Sequence, residues 1–168
     1  MLSQKYETQK YNVIKTMDNF EIRYYPPTIK AKVSSSRNFS KLFQYIRGNN
    51  EKKEKIAMTT PVYMSKKKEK ITMEFVMPSK YSEKNMVQPN DKDIVVYRST
   101  PGYYASIAFG GYASVKKVNH YYDLLLKKIK ERKLKVLGKE PIALSYNSPY
   151  KVFNRRNEVL IEIEYTEN

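Results

Sequence analysis

The single histidine, His120, has to be placed first. In a chain without cysteine it is the one imidazole available as a general base, a partner to a nucleophile or a metal ligand. It falls in a stretch whose apolar residues, Val115, Val118, Tyr122, Leu125, Leu126 and Ile129, recur at helical spacing. At about 100° per residue, His120 points almost opposite to that stripe. The spacing predicts an exposed ring, which could act as a weak axial ligand only at a surface groove or an interface. A Cys–His pair is excluded, and a Ser-His-Asp triad would have to use this outward ring. Five glycines leave no glycine-rich phosphate loop, and there is no GxSxG elbow. No carboxylate cluster has the spacing of a zinc or calcium site, so no metal set is expected. Glu74, inside a predicted strand, could serve as a general base in a ligand pocket. The alternation Thr72, Glu74, Val76 favours instead a place on the solvent side. Arg155 and Arg156 offer forked donors to a carboxylate or phosphate; equally, one of them could make a structural ion pair.

The elements that must position these groups read as follows. Residues 1–10 are a polar lead-in. "YNVIKTMDNFEIRYY" reads as a hairpin turning at Asp18-Asn19, and "TIKAKVSSS" as a strand after Pro26-Pro27. "NFSKLFQYIRG" is predicted as a helix, with Phe39, Leu42, Phe43 and Ile46 on one face, Ser36 or Asn38 as its cap and Gly48 as its stop. Residues 55–64 read as a strand containing Pro61, followed by a strand "ITMEFVMP". The second half gives strands in "DIVVYRST" and "YYASIAFGG", a helix over 113–133, and strands in "PIALSYN" and "EVLIEIEY". Each half runs strand, turn, strand, helix, strand, strand. The order implies one α+β domain built from two pseudo-symmetric ββαββ repeats, roughly 11–80 and 92–165. Eight antiparallel strands would form a curved sheet or distorted barrel with two helices packed outside.

Bulk composition narrows the partners. With 168 residues, 40% of them hydrophobic and 13% aromatic, the chain can bury one substantial core. The absence of cysteine suits a reducing compartment. The N-terminus lacks the apolar run of a signal peptide, and no stretch approaches the ~18 apolar residues of a transmembrane helix. A soluble, cytoplasmic protein is expected. The net charge of +15 favours anionic partners, but the lysines alternate with glutamates in "EKKEK", "KKKEK" and "KKIKERK", as on solvated faces. Neither a recognition helix nor an aromatic platform motif is evident, so nucleic acid is not an expected partner. Met58, Met64, Met73 and Met77, on the more apolar faces of two adjacent strands, suit a pocket for a flat apolar ligand or an ordinary core.

The octapeptide "KIAMTTPV" (55–62) resembles the signature of the SOUL/haem-binding protein family. "FEIRYYPP", "FSKLFQYIRGNN", "MEFVMPSKY", "PGYYASIAFGG" and "YNSPYKVFNRRNEVLIEI" resemble other family segments in order, over about residues 11–165. The resemblance implies a distorted barrel with two helices, similar also to GyrI-type effector domains. In such a fold the octapeptide would be an internal strand, mainly architectural, with Pro61 at a bulge or edge. It further implies non-enzymatic binding of haem or another tetrapyrrole, for buffering or delivery, in a shallow apolar groove. Leu42, Tyr45, Ile46 and Arg47 from the first helix, and Tyr150, Phe153, Arg155 and Arg156 from the loop before the last strand, would line it. Some relatives are described as using a histidine near the first helix; this chain has none there. The alternative that the resemblance implies is a GyrI-like small-molecule receptor or hydrolase using a pocket carboxylate, with Glu74 as the candidate.

Overall fold

The computed structural model describes residues 6–147 and 151–167. In chain order the elements are β1 (Glu7–Thr8), β2 (Asn12–Met17), β3 (Phe20–Tyr25), β4 (Ile29–Val33), α1 (Asn38–Ile46), β5 (Thr59–Thr60), β6 (Val62–Lys67), β7 (Lys70–Val76), β8 (Val95–Arg98), β9 (Gly102–Phe109), α2 (Val115–Glu131), β10 (Lys135–Val136), β11 (Ile142–Ser145) and β12 (Asn157–Glu164). Two helices and antiparallel sheet make this an α+β protein, as the pattern implies. Three of the strands have only two residues, too few for alternation to reveal them.

The chain forms two compact units, and each draws on both halves of the sequence. One contains Pro27–Thr100 and the N-terminal residues through Gln9; the other contains Lys10–Pro26 and the chain from Pro101 onward.

In the first unit β6, β7, β4 and β8 lie side by side and antiparallel. Alternation along β4 sends Ile29, Ala31 and Val33 into a core with Leu42, Tyr45 and Ile46 of α1 and Phe75 of β7. Met58 and Met73 pack against this core and Met77 is inside it, but Met64 is 40% exposed and lines no core. The buried stripe of α1 also differs from the sequence pattern. Leu42, Tyr45 and Ile46 point inward, while Phe39 and Phe43 stack on each other at 5.6 Å along the exposed flank. Tyr45 wins the inward position because its hydroxyl donates to the Val87 carbonyl, which lets a polar tip be fully buried. The helix has no side-chain cap at Arg37; Asn38 accepts from the Ser35 amide at 2.6 Å instead.

The octapeptide 55–62 is not one strand. Residues 55–58 are irregular, Thr59–Thr60 pair in parallel with Glu7–Thr8, and the Thr60–Pro61 bond is cis. Pro61 sits between β5 and β6, where it interrupts neither ladder.

In the second unit β12 pairs with β9, β11 and β10, and the β2–β3 hairpin adds to β9 through β3. One sheet face carries Phe20, Ile22, Ala105, Ile107, Val159, Ile161 and Ile163 against Leu125 and Ile129 of α2. Ser114 caps α2 by accepting from the Lys117 amide at 3.2 Å. Leu125 and Ile129 bear out the expected stripe; Val115, at its N-terminal end, is 71% exposed.

Candidate functional site

A groove of about 350 Å³ opens in the first unit, lined by Tyr6, Glu7, Phe43, Ile46, Arg47, Lys55, Ile56, Ala57 and Met58. Its size lies within the range of small-molecule pockets. Three pieces of chain form it, and each is pinned by backbone. The C-terminal turn of α1 supplies Phe43, Ile46 and Arg47. The irregular segment 55–58 is tied to that turn by the Ile56 amide, which donates to the Ile46 carbonyl at 2.7 Å. Asn50, 1% exposed, braces the connection: its side-chain amide donates to the carbonyls of Tyr45 (3.0 Å) and Glu54 (2.8 Å), and its oxygen accepts from the Glu54 amide at 3.0 Å. Tyr6 and Glu7 are held by β1 against β5, where the Gln9 amide also donates to the Thr60 carbonyl at 2.9 Å.

The lining is apolar on its floor and cationic at its rim. Phe43, Ile46, Ile56, Ala57 and Met58 offer flat, adaptable contact. Arg47 and Lys55 are both exposed. The Arg47 guanidinium lies 5.4 Å from the Phe43 ring centre, so a charged donor stands beside the aromatic face. Glu7 is committed elsewhere, accepting from the Ser79 amide at 3.0 Å. Among the described residues no cluster of His, Cys, Asp and Glu could hold a metal ion. The groove's own side chains suited to iron are the Tyr6 phenol and the Met58 thioether. Apolar floor, paired cations and these donors fit a tetrapyrrole with propionates.

Of the residues expected to line such a groove, Ile46 and Arg47 do so. Leu42 and Tyr45 are fully buried core residues. Phe153, Arg155 and Arg156 belong to the second unit and do not line this groove. Tyr150 lies outside the described residues. His120 is exposed, with its ring edge-on to Tyr121 at 5.0 Å, as its helical position requires. The first half of the octapeptide, Lys55–Met58, lines the groove directly.

Glu74 is half-buried in β7 and accepts from the Tyr97 hydroxyl. Beside it the pKa of Lys30 is lowered by burial, against the opposing pull of the Glu74 carboxylate, and its ammonium sits 3.7 Å from the centre of the Tyr63 ring.

A second, polar cavity of about 180 Å³ lies in the second unit, on the sheet face away from α2. Arg23 and Glu158 form its floor, both about 1% exposed or less. Arg23 is engaged at every nitrogen: Nε donates to Glu21 at 2.8 Å, Nη1 donates to Glu158 at 2.9 Å and to the Tyr25 hydroxyl at 3.0 Å, and Nη2 donates to Glu158. Glu158 also accepts from the Tyr146 hydroxyl at 2.5 Å and from Arg156 at 3.1 Å. Burial alone would raise the Glu158 pKa, but hydrogen bonding to Arg23 and that residue's charge carry it below the usual value. Burial pushes the Tyr146 phenol upward, and the Glu158 carboxylate pushes it further. Arg156 therefore takes the ion-pair role left open by the sequence. Arg155 lies over the Tyr112 ring at 4.3 Å and donates to the Lys151 carbonyl at 2.7 Å.

The family profile described as SOUL heme-binding protein matches residues 6–162. Heme-binding protein 2 of Homo sapiens is 31% identical over 158 aligned residues, covering 84% of this chain and 76% of the relative; its Mus musculus counterpart is 28% identical with the same coverage. A solved structure titled as a hydrolase from Listeria innocua superposes with a TM-score of 0.63 at 9% identity, covering 90% of this chain and 94% of that one, a likeness of fold alone. The fold is that of a small α+β ligand-binding protein. The chain belongs to the SOUL haem-binding protein family.

Proposed function

We propose that this protein binds haem or another tetrapyrrole reversibly and without catalysis, in the α1 groove, as a buffer or carrier in the cytoplasm. The observation that carries the reading is the apolar floor of Phe43, Ile46, Ile56 and Met58, flanked by the free cations of Arg47 and Lys55. The macrocycle would rest on the floor, and Arg47 and Lys55 would meet the propionates. Haem would supply an iron that accepts protein ligands, and Tyr6 and Met58 are the groove side chains that would be at hand to hold it. The whole chain acts as one binding domain in this reading, with its two pseudo-repeats as scaffold. Of the carboxylates weighed for the hydrolase alternative, Glu158 is held by Arg23, and Glu74, bonded to Tyr97, lines neither cavity.

Haemin titration of the purified protein, followed at the Soret band, tests the reading. One-to-one saturation is expected. Arg47→Ala and Lys55→Ala should each weaken binding about 3- to 10-fold. His120→Ala should leave it unchanged. Absence of saturable binding, or loss with His120→Ala alone, overturns the α1 groove as the site.

A further inference from the structure

The three most exposed large apolar side chains of the described residues are Phe153 (81%), Val115 (71%) and Val152 (63%); Tyr112 is 51% exposed, as is Val95 of the first unit. Phe153, Val115, Val152 and Tyr112 lie in the second unit, on two segments that leave the same end of its sheet. β9 ends at Phe109, opposite Asn157 at the start of β12. The segments that continue beyond that pair, 110–117 and 151–156, stay in contact. Asn157 donates to the Gly111 carbonyl at 2.6 Å, and Arg155 lies over the Tyr112 ring. Lys117 reaches back to the Gly110 carbonyl at 3.2 Å. The two segments are thus braced from behind while their apolar side chains project outward.

The charged residues of the two segments are all cationic, although Arg156 is paired with Glu158 beneath them. Residues 110–117 contribute Lys116 and Lys117, residues 151–156 contribute Lys151, Arg155 and Arg156, and neither segment contains an acid. Elsewhere in the chain the lysine runs are interleaved with glutamate. Apolar tips ringed by cations are the two signals that together hold a protein at an anionic bilayer: the tips enter the acyl boundary and the cations meet the headgroups. Charge alone would give weak, salt-sensitive adsorption, and two or three apolar side chains alone would not hold.

We propose that this end of the second unit docks on anionic lipid membranes, with Val152, Phe153 and Val115 entering the interface and Lys116 and Lys151 engaging lipid phosphates. The surface is separate from the α1 groove, so docking stands whether or not a tetrapyrrole binds there.

The chain has no tryptophan, so Phe153→Trp gives a single reporter at the proposed tip. Its emission should shift to the blue and be quenched by brominated acyl chains in phosphatidylcholine–phosphatidylserine vesicles, and should not change with phosphatidylcholine alone. In co-sedimentation of otherwise unmodified protein, Val152→Ser with Phe153→Ser should lower partitioning about tenfold. Lys116→Glu with Lys151→Glu should do the same. Both pairs are exposed, and unchanged thermal melting confirms that the fold survives. Three outcomes overturn the proposal. The protein fails to sediment with anionic vesicles, or it sediments with no change in the tryptophan emission, so that overall charge and another face are responsible. In the third, single-stranded oligonucleotide shifts the emission and vesicles do not.

Discussion

Arg23 and Glu158 decide the stability of the second unit at the scale of single residues. Each is buried with every side-chain nitrogen or carboxylate oxygen hydrogen-bonded, so removing one partner leaves the other under-satisfied. Glu158→Gln keeps the shape and removes the charge; a cost of up to about 3–5 kcal/mol is expected, because Arg23 loses its buried counter-ion and keeps only the half-exposed Glu21. The same pair sets an acid limit. The folded-state pKa of Glu158 is depressed below its unfolded value. Its stabilisation is therefore complete above the ordinary glutamate pKa of about 4.3 and disappears as pH falls through the lower folded value. Urea midpoints measured from neutral pH downward should fall below about pH 4 in the unmodified protein and should fall less steeply in Glu158→Gln. An equal slope in both would mean that other carboxylates set the acid limit. Neither residue stands out in the sequence. Arg23 sits between Ile22 and Tyr24, and Glu158 opens an alternating strand, so both read as solvent-face charges. Only the pairing of β3 and β12 with β9 brings them to one place.

Among the elements, α1 shows most clearly what periodicity can and cannot give. Its position and length are legible from Phe39, Leu42, Phe43 and Ile46. The faces are not, because two aromatic residues compete for burial and a hydrophobicity pattern ranks phenylalanine above tyrosine. Tyr45 is buried through its hydrogen bond to Val87, a partner 42 residues away that no local pattern announces. Phe39 and Phe43 are left to stack at the edge, with Phe43 in the groove. Neighbouring residues on this helix should therefore respond in opposite ways. Leu42→Ala should cost about 2–5 kcal/mol of stability, since it leaves a cavity in a closed core. Phe43→Ala should cost less than about 1 kcal/mol, as a partly exposed position, yet weaken haemin binding several-fold. Chemical denaturation and a Soret titration on the same two proteins separate the effects. A groove that tolerated Phe43→Ala would lose its aromatic wall as a binding element. The octapeptide carries the same lesson. Its alternation suggested a continuous strand, but Pro61 divides it, and the irregular half that results is the half that lines the groove.

Across the whole molecule, two ββαββ runs are visible in the order of elements, but the compact units do not follow that order. The hairpin formed by β2 and β3 belongs with the C-terminal elements, and β8 belongs with β4. Strand pairing depends on which edges meet, and period-two patterns record faces rather than edges. The exchange has a consequence for folding. The second unit takes Met17, Phe20 and Ile22 from the N-terminal hairpin into its core, and β9 uses β3 as one of its two neighbours. A fragment beginning at Pro101 would keep α2 and β9–β12 but lose those three core side chains. It would also present β9 as a bare edge, with unpaired amides and carbonyls along Gly102–Ser106. Such a fragment should fail to fold, or should aggregate, even though it contains nearly all of the second pseudo-repeat. Adding a peptide of residues 10–26 in trans should restore cooperative melting, because that peptide supplies both the missing edge and the missing apolar contacts. Circular dichroism melts of the fragment alone and with the peptide make the test. Cooperative folding of the bare fragment would mean that β9, β12 and α2 suffice, and that the hairpin is an addition to the unit rather than part of its core.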